Sequence, residues 1–214
     1  MTPPRALRAL AAAALAAWLA ACATTPPPPP PPPSGPVMRD WRSIITSADR
    51  DRLTRIDQAW RVALEQARRF DGSGDLRGTG DLIDPDARLS DVEPPEGEYR
   101  CRTVKLGSQT DGGLGYVVYG WFACRIERTP NGLKFSKLTG SQRPSGLLFP
   151  ESGTEMIFLG SMALGDEPPA RSYGPNPDRD MVARLERFAP GRWRLVIPWP
   201  QYESNLDLIE LVPA

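Results

Sequence analysis

Acid–base and nucleophilic chemistry draws on a short list of side chains, and this 214-residue chain lacks the most versatile of them. It contains no histidine. The side chain that titrates nearest neutral pH is therefore missing. Ser-His-Asp and Cys-His nucleophile activation and histidine-ligated metal are excluded with it. Carboxylates, lysine and tyrosine remain. Asp166-Glu167 and Asp178/Asp180 are carboxylate pairs that could serve acid–base hydrolysis, although adjacent carboxylates on a proline-rich loop are ordinarily solvated. Trp121, Trp199 and Tyr202 could form a stacking platform for sugar, with aromatic barrel core as the simpler role. The segment Gly140 to Gly146, "GSQRPSG", gathers Ser141, Gln142, Arg143 and Ser145 between two strands. As a polar loop on a rigid scaffold it is the candidate binding loop; its plainer reading is a polar turn. Asp71, Ser73 and Asp75 have calcium-loop spacing, but Leu76 stands where that loop needs glycine and Leu82 where it needs glutamate. Gly113-Leu114-Gly115 precedes a strand, the wrong context for a dinucleotide fingerprint. No catalytic residue, metal site or cofactor is assigned.

The three cysteines divide by position. Arg5 and Arg8 followed by the apolar run Ala9 to Leu19 have the charge and length of an export signal. The run is shorter than the roughly 20 apolar residues that span a bilayer. It ends in Leu19-Ala20-Ala21-Cys22, which resembles the lipobox of bacterial lipoproteins. That resemblance implies cleavage before Cys22 and acylation of it, and Ala23 in the following position implies the outer membrane. Pro26 to Pro33 would then be a stiff spacer of roughly 25 Å. With Cys22 lipidated, Cys101 and Cys124 remain in an oxidising compartment, where a disulfide is the default. Two cysteines are too few for a metal site.

The elements that would position these residues fall into two groups. Apolar residues from Leu53 through Ile56, Trp60, Ala63, Leu64 and Ala67 to Phe70 repeat at helical spacing. Helix is therefore expected over Trp41 to about Phe70, with a capping box at Thr46 to Asp49. From Glu98 onward short alternating runs separated by turn chemistry predict eight strands. They are Tyr99–Leu106, Tyr116–Glu127, Leu133–Thr139, Gly146–Phe149, Glu155–Leu164, Met181–Phe188, Arg192–Pro198 and Leu206–Val212. Asn131-Gly132 and Pro190-Gly191 mark two of the turns. With a tight turn at Gly112-Gly113, Cys101 would lie directly opposite Cys124. Trp193, Leu195, Ile197 and Trp199 should share one face. The fold expected is mainly β (α+β), a small antiparallel meander or eight-stranded barrel carrying an N-terminal amphipathic helix. The expected organisation is signal peptide 1–21, lipidated linker 22–38, helical segment 39–95 and β domain 96–214.

"YRCRTVKLG", "KLTGSQRPSGLLFP", "IFLGSMALGDE" and "LERFAPGRWRLVIPWPQYESNLDLIELVPA" resemble an uncharacterised alphaproteobacterial exported family, the domain of unknown function numbered 4893. The resemblance covers Asp40 to Ala214 and implies no activity. Tyr99-Arg100-Cys101 and Ser145-Gly146-Leu147-Leu148-Phe149 also look like pieces of the membrane-bound lysozyme inhibitors, small lipid-anchored barrels. That pattern fails at Leu159, where an inhibitor would carry a lysine. Basic and acidic residues balance at 26 each, so nothing points to nucleic acid. The expectation is a non-enzymatic, lipid-anchored outer-membrane protein facing the periplasm, binding an envelope protein or a small apolar ligand. A carboxylate-dependent hydrolase of envelope glycan is the alternative.

Overall fold

The computed structural model describes residues 40–170 and 172–214, so Cys22 and the proline run lie outside the described residues. After a 3-10 turn at Trp41–Ser43 come helices α1 (Ser47–Thr54) and α2 (Ile56–Arg69). The expected single helix is broken at Arg55, whose backbone leaves the helical region. Thr46 caps α1 as expected, accepting from the Asp49 backbone N–H at 3.2 Å. A two-residue strand β1 (Gly72–Ser73) and a 3-10 segment (Arg77–Ile83) follow.

Eight antiparallel strands then run in sequence order: β2 (Gly97–Leu106), β3 (Tyr116–Thr129), β4 (Gly132–Lys137), β5 (Gln142–Pro150), β6 (Glu155–Leu164), β7 (Asp180–Ala189), β8 (Arg192–Pro198) and β9 (Leu206–Pro213). Each pairs with its neighbour, and β9 pairs with β2, so the meander closes into a barrel. Closure removes the free edges an open meander would expose. β1 adds in parallel to β3, a pairing too short to leave a sequence signal.

Alternation sorts each strand between lumen and exterior. Cys101, Phe135, Leu148, Phe158, Leu185, Leu195 and Leu211 point inward and form one buried cluster. Gly146 faces Gly160 across β5 and β6. A Cβ on Gly160 would stand 2.3 Å from the Phe158 ring and 2.5 Å from the Ser145 carbonyl. The bare backbone there gives Phe158 room to meet Phe135 edge-on, with centroids 5.9 Å apart. One barrel end is sealed: Trp193 donates to the Val92 carbonyl at 2.8 Å and stacks edge-on against Tyr99.

The exterior is covered in two places. Ala59, Trp60 and Ala63 of α2 pack on Val104, Leu106, Val196 and Leu208. Trp41 and Ile45 pack on Phe149, Ile157, Leu159 and Val182. Between them, fully buried Arg194 pairs with Glu186 at 2.7 Å and donates to the carbonyls of Leu82, Asp84 and Ala87. It pins the 77–90 strap to the barrel wall. Glu186, Arg194, Glu210 and Arg102 stand side by side on β7, β8, β9 and β2, a row of alternating charge.

Two register expectations are corrected. Cys101 pairs with Phe122 and Cys124 with Tyr99, so the cysteines are diagonal rather than opposed. The β2–β3 connection is loop 107–115, as the expected strand bounds leave it, but the register is not centred on Gly112-Gly113, and a bulge follows Arg102. The disulfide still forms, with Cα atoms 5.9 Å apart. The β3–β4 turn centres on Pro130-Asn131, one residue earlier than expected, with Gly132 opening β4. Pro190-Gly191 occupies its turn as expected, Gly191 having φ +68.

Candidate binding site at the barrel mouth

The end opposite the seal is open. The lumen-facing rows of six strands change character here, ending in Lys105, Lys137, Gln142, Met162, Met181 and Asp207 in place of aliphatic residues. Loops 107–115, 138–141 and 199–205 and segments 165–170 and 172–179 surround them.

Lys105 is buried, 2.9 Å from Asp207 and 3.2 Å from Glu203. Burial opposes its charge, but Asp207 and Glu203 outweigh that and hold its pKa above the ordinary lysine value. Ser204 Oγ donates to the other Asp207 oxygen. Lys137 is 5% exposed and has no such partner among the described residues. Its Nζ donates to the Thr139 and Gln142 carbonyls at 2.8 and 2.9 Å and sits 3.8 Å from the Phe122 ring centroid. Burial, then the cations Arg143 and Lys105, lower its pKa to about 8. The turn that wraps Lys137 needs Gly140: its φ is +89, and a Cβ would stand 2.7 Å from Nζ.

Two openings adjoin these lysines. A polar chamber of about 130 Å³ is bounded by Thr103, Lys105, Tyr119, Phe122, Lys137, Ser141, Gln142 and Glu203. A groove of about 710 Å³ continues from it past Leu114, Tyr116, Val117, Tyr119, Leu164 and Tyr202. Tyr119, Leu114 and Tyr202 are 40%, 48% and 50% exposed.

The sequence candidates separate. Gln142 to Pro150 is strand, so the expected binding loop shrinks to the turn before it. Cross-strand pairing carries the polar residues into the ladder. Ser141 and Gln142 line the chamber. Arg143 and Ser145 fall on the outer face: Ser145 bonds Ser136 at 2.7 Å, and Arg143 ties the Gly140, Gly165 and Glu167 carbonyls together. The aromatic trio does not converge. Trp121 is exposed rather than core, lying outside β3 beneath Arg100 and Arg102. Trp199 lies past the end of β8 with φ +47, and it packs toward α2 and donates to the Arg55 carbonyl instead of continuing the lumen row. Only Tyr202 reaches the mouth. Glu167 is paired with Arg179, and Asp180 is buried while Asp178 is exposed.

Sequence reasoning missed Lys105, Lys137, Phe122, Glu203 and Asp207. A signal was present: Leu133, Phe135 and Lys137 alternate on one face, as do Ile209 and Asp207. A charge that continues an apolar row marks a strand end facing the lumen. Chemically the mouth is a recess of mixed charge, partly aromatic, in which Lys105 is matched by Glu203 and Asp207 while Lys137 is the cation that could hold an anion. Glu203 and Asp207 lie 3.2 and 2.9 Å from the same Nζ, hence at most about 6 Å apart. Glycosidase carboxylates have similar spacing, but both of these are occupied by Lys105.

Residues 41–211 match the family described as domain of unknown function DUF4893. The chain belongs to this family. The match spans both helices and the barrel through most of β9, so the family's unit includes the helices that cover the wall. No curated protein and no solved structure matches this chain.

Proposed function

We propose that this DUF4893 domain is a non-catalytic binding module of the bacterial envelope that takes a small ligand at its barrel mouth. The observation that carries the reading is the distribution of filled and empty space. Side chains fill the lumen from the Tyr99–Trp193 seal upward, and a chamber and groove open where the inward rows end in Lys105, Lys137 and Gln142. A ligand therefore sits at the rim, not enclosed along the axis. Open apolar surface rimmed by polar groups is characteristic of ligand grooves. The lipobox-like Leu19 to Cys22 and the eight prolines support placement on the periplasmic side of the outer membrane, held off the lipid.

Two measurements on the full chain expressed in a bacterial envelope test this. Native mass spectrometry of detergent-extracted protein should show a noncovalent small-molecule adduct that Ser141→Trp, at the chamber rim, removes. Adduct-free wild type, or an adduct indifferent to Ser141→Trp, would overturn the mouth reading. Separately, Cys22→Ser should move the protein from the membrane to the soluble fraction. Continued sedimentation with membranes would refute lipidation.

A further inference from the structure

Lys137 is the buried cation that the mouth leaves without a counter-charge. An ammonium carries three N–H donors; the Thr139 and Gln142 carbonyls take two, and the Phe122 ring, its centroid 3.8 Å from Nζ, is a neutral neighbour that supplies no counter-charge. Among the described residues no carboxylate pairs with it, and the charges that act on it are cations, Arg143 and Lys105. Glu203 and Asp207, the nearby acids, are both bound to Lys105. Burying an ammonium without an opposite charge is costly. Here the cation is buried beside an open chamber whose volume suits a single small polar group. The groove that continues from the chamber carries an apolar and aromatic side, Leu114, Val117, Tyr119, Leu164 and Tyr202, facing polar residues of the 107–110 and 201–204 segments.

We propose that the mouth binds a single-chain aliphatic carboxylate, its acid head in the chamber on Lys137 and its hydrocarbon tail in the groove. This rests on the mouth-binding reading and adds the ligand's chemistry. A monoanion matches one unpaired ammonium. Glu203 also lines the chamber, so a dianionic phosphate head would bring twice the negative charge beside it and be disfavoured. A charge-assisted hydrogen bond to a buried ammonium corresponds to about tenfold or more in affinity.

Titration calorimetry with laurate and dodecyl phosphate below their micellar concentrations, and dodecanol below its solubility limit, tests the assignment. At about pH 7 the full chain should bind laurate at least tenfold more tightly than dodecanol, and more tightly than dodecyl phosphate. Lys137→Met should abolish the preference over dodecanol while leaving dodecanol binding intact; Lys137→Arg should retain it. At about pH 9 the wild-type preference should fall several-fold as Lys137 loses its proton, Arg143 and the Asp207- and Glu203-paired Lys105 remaining charged. Equal binding of laurate and dodecanol, or a preference that survives Lys137→Met, would overturn the head-group assignment while the mouth reading stands. Tighter binding of dodecyl phosphate would overturn the monoanion. Binding of none of the three would overturn the proposal, and an adduct on the extracted protein would then show that the mouth takes other chemistry.

Discussion

Lys137 shows how a single residue links the site to stability. Its folded pKa of about 8 lies below the 10.5 of an unperturbed lysine, with burial as the first cause. Between those values the unfolded chain binds more protons than the folded one, so unfolding free energy rises with pH across that window. Below about pH 8 the folded protein bears the full cost of the buried charge, on the order of 3 kcal/mol. Lys137→Met removes this cost but leaves the Thr139 and Gln142 carbonyls without their donor, which returns about 1–2 kcal/mol. The variant should therefore be about 1–2 kcal/mol more stable than wild type near pH 7 by urea unfolding. Its stability should also lack the wild-type rise between about pH 8 and 10.5. A less stable variant at pH 7 would mean that the ammonium is better compensated than its neighbours indicate. Polar residues that destabilise a fold are commonly retained for binding.

At the scale of elements, β5 and β6 carry the clearest constraint. Their facing glycines bring two backbones together: a Cβ on Gly146 would meet the Gly160 backbone, and the Phe158 ring occupies the space a Cβ on Gly160 would need. Gly160→Ala sets a methyl against both the Phe158 ring and the rigid Ser145 carbonyl. It should cost about 2 kcal/mol or more, measured as a lower urea midpoint. An unchanged midpoint would show that Phe158 has an alternative rotamer. The same strand explains why the polar segment was read as a loop. Gln142, Arg143 and Ser145 lack the apolar alternation that announces a strand, yet β6 pairs with all three. Their ladder partners are decided by residues 20 or so positions away, beyond the reach of a local pattern.

At the scale of the molecule, the barrel is closed by hydrogen bonds and clad by the N-terminal helices and strap. Arg194 joins these layers: it is fully buried, paired with Glu186, set between the Trp60 and Phe188 rings, and bonded to the carbonyls of the strap. Arg194→Met strips the strap carbonyls of donors and weakens the compensation of Glu186, which keeps Arg184 and Arg88. The expected loss is about 3 kcal/mol, with residues 77–90 becoming the first site of limited proteolysis. Cleavage elsewhere first would detach the strap's stability from Arg194.

Much of this architecture was legible in the sequence because it is local. Period-two alternation gave eight strands, two of them, Glu155–Leu164 and Arg192–Pro198, with the bounds observed. Helical periodicity gave the stripe of α2, and the turn residues at Pro190-Gly191 gave a meander. The absence of histidine excluded whole classes of chemistry before any coordinates. Closure of β9 on β2, the diagonal disulfide register and the strap required the tertiary structure, because each depends on pairing between distant segments. The site belongs with these. Lys105, Lys137, Gln142, Glu203 and Asp207 are ordinary polar residues along the chain, spread over about a hundred positions. Only the barrel places them at one rim, where burial and neighbouring charge alter what a lysine can do.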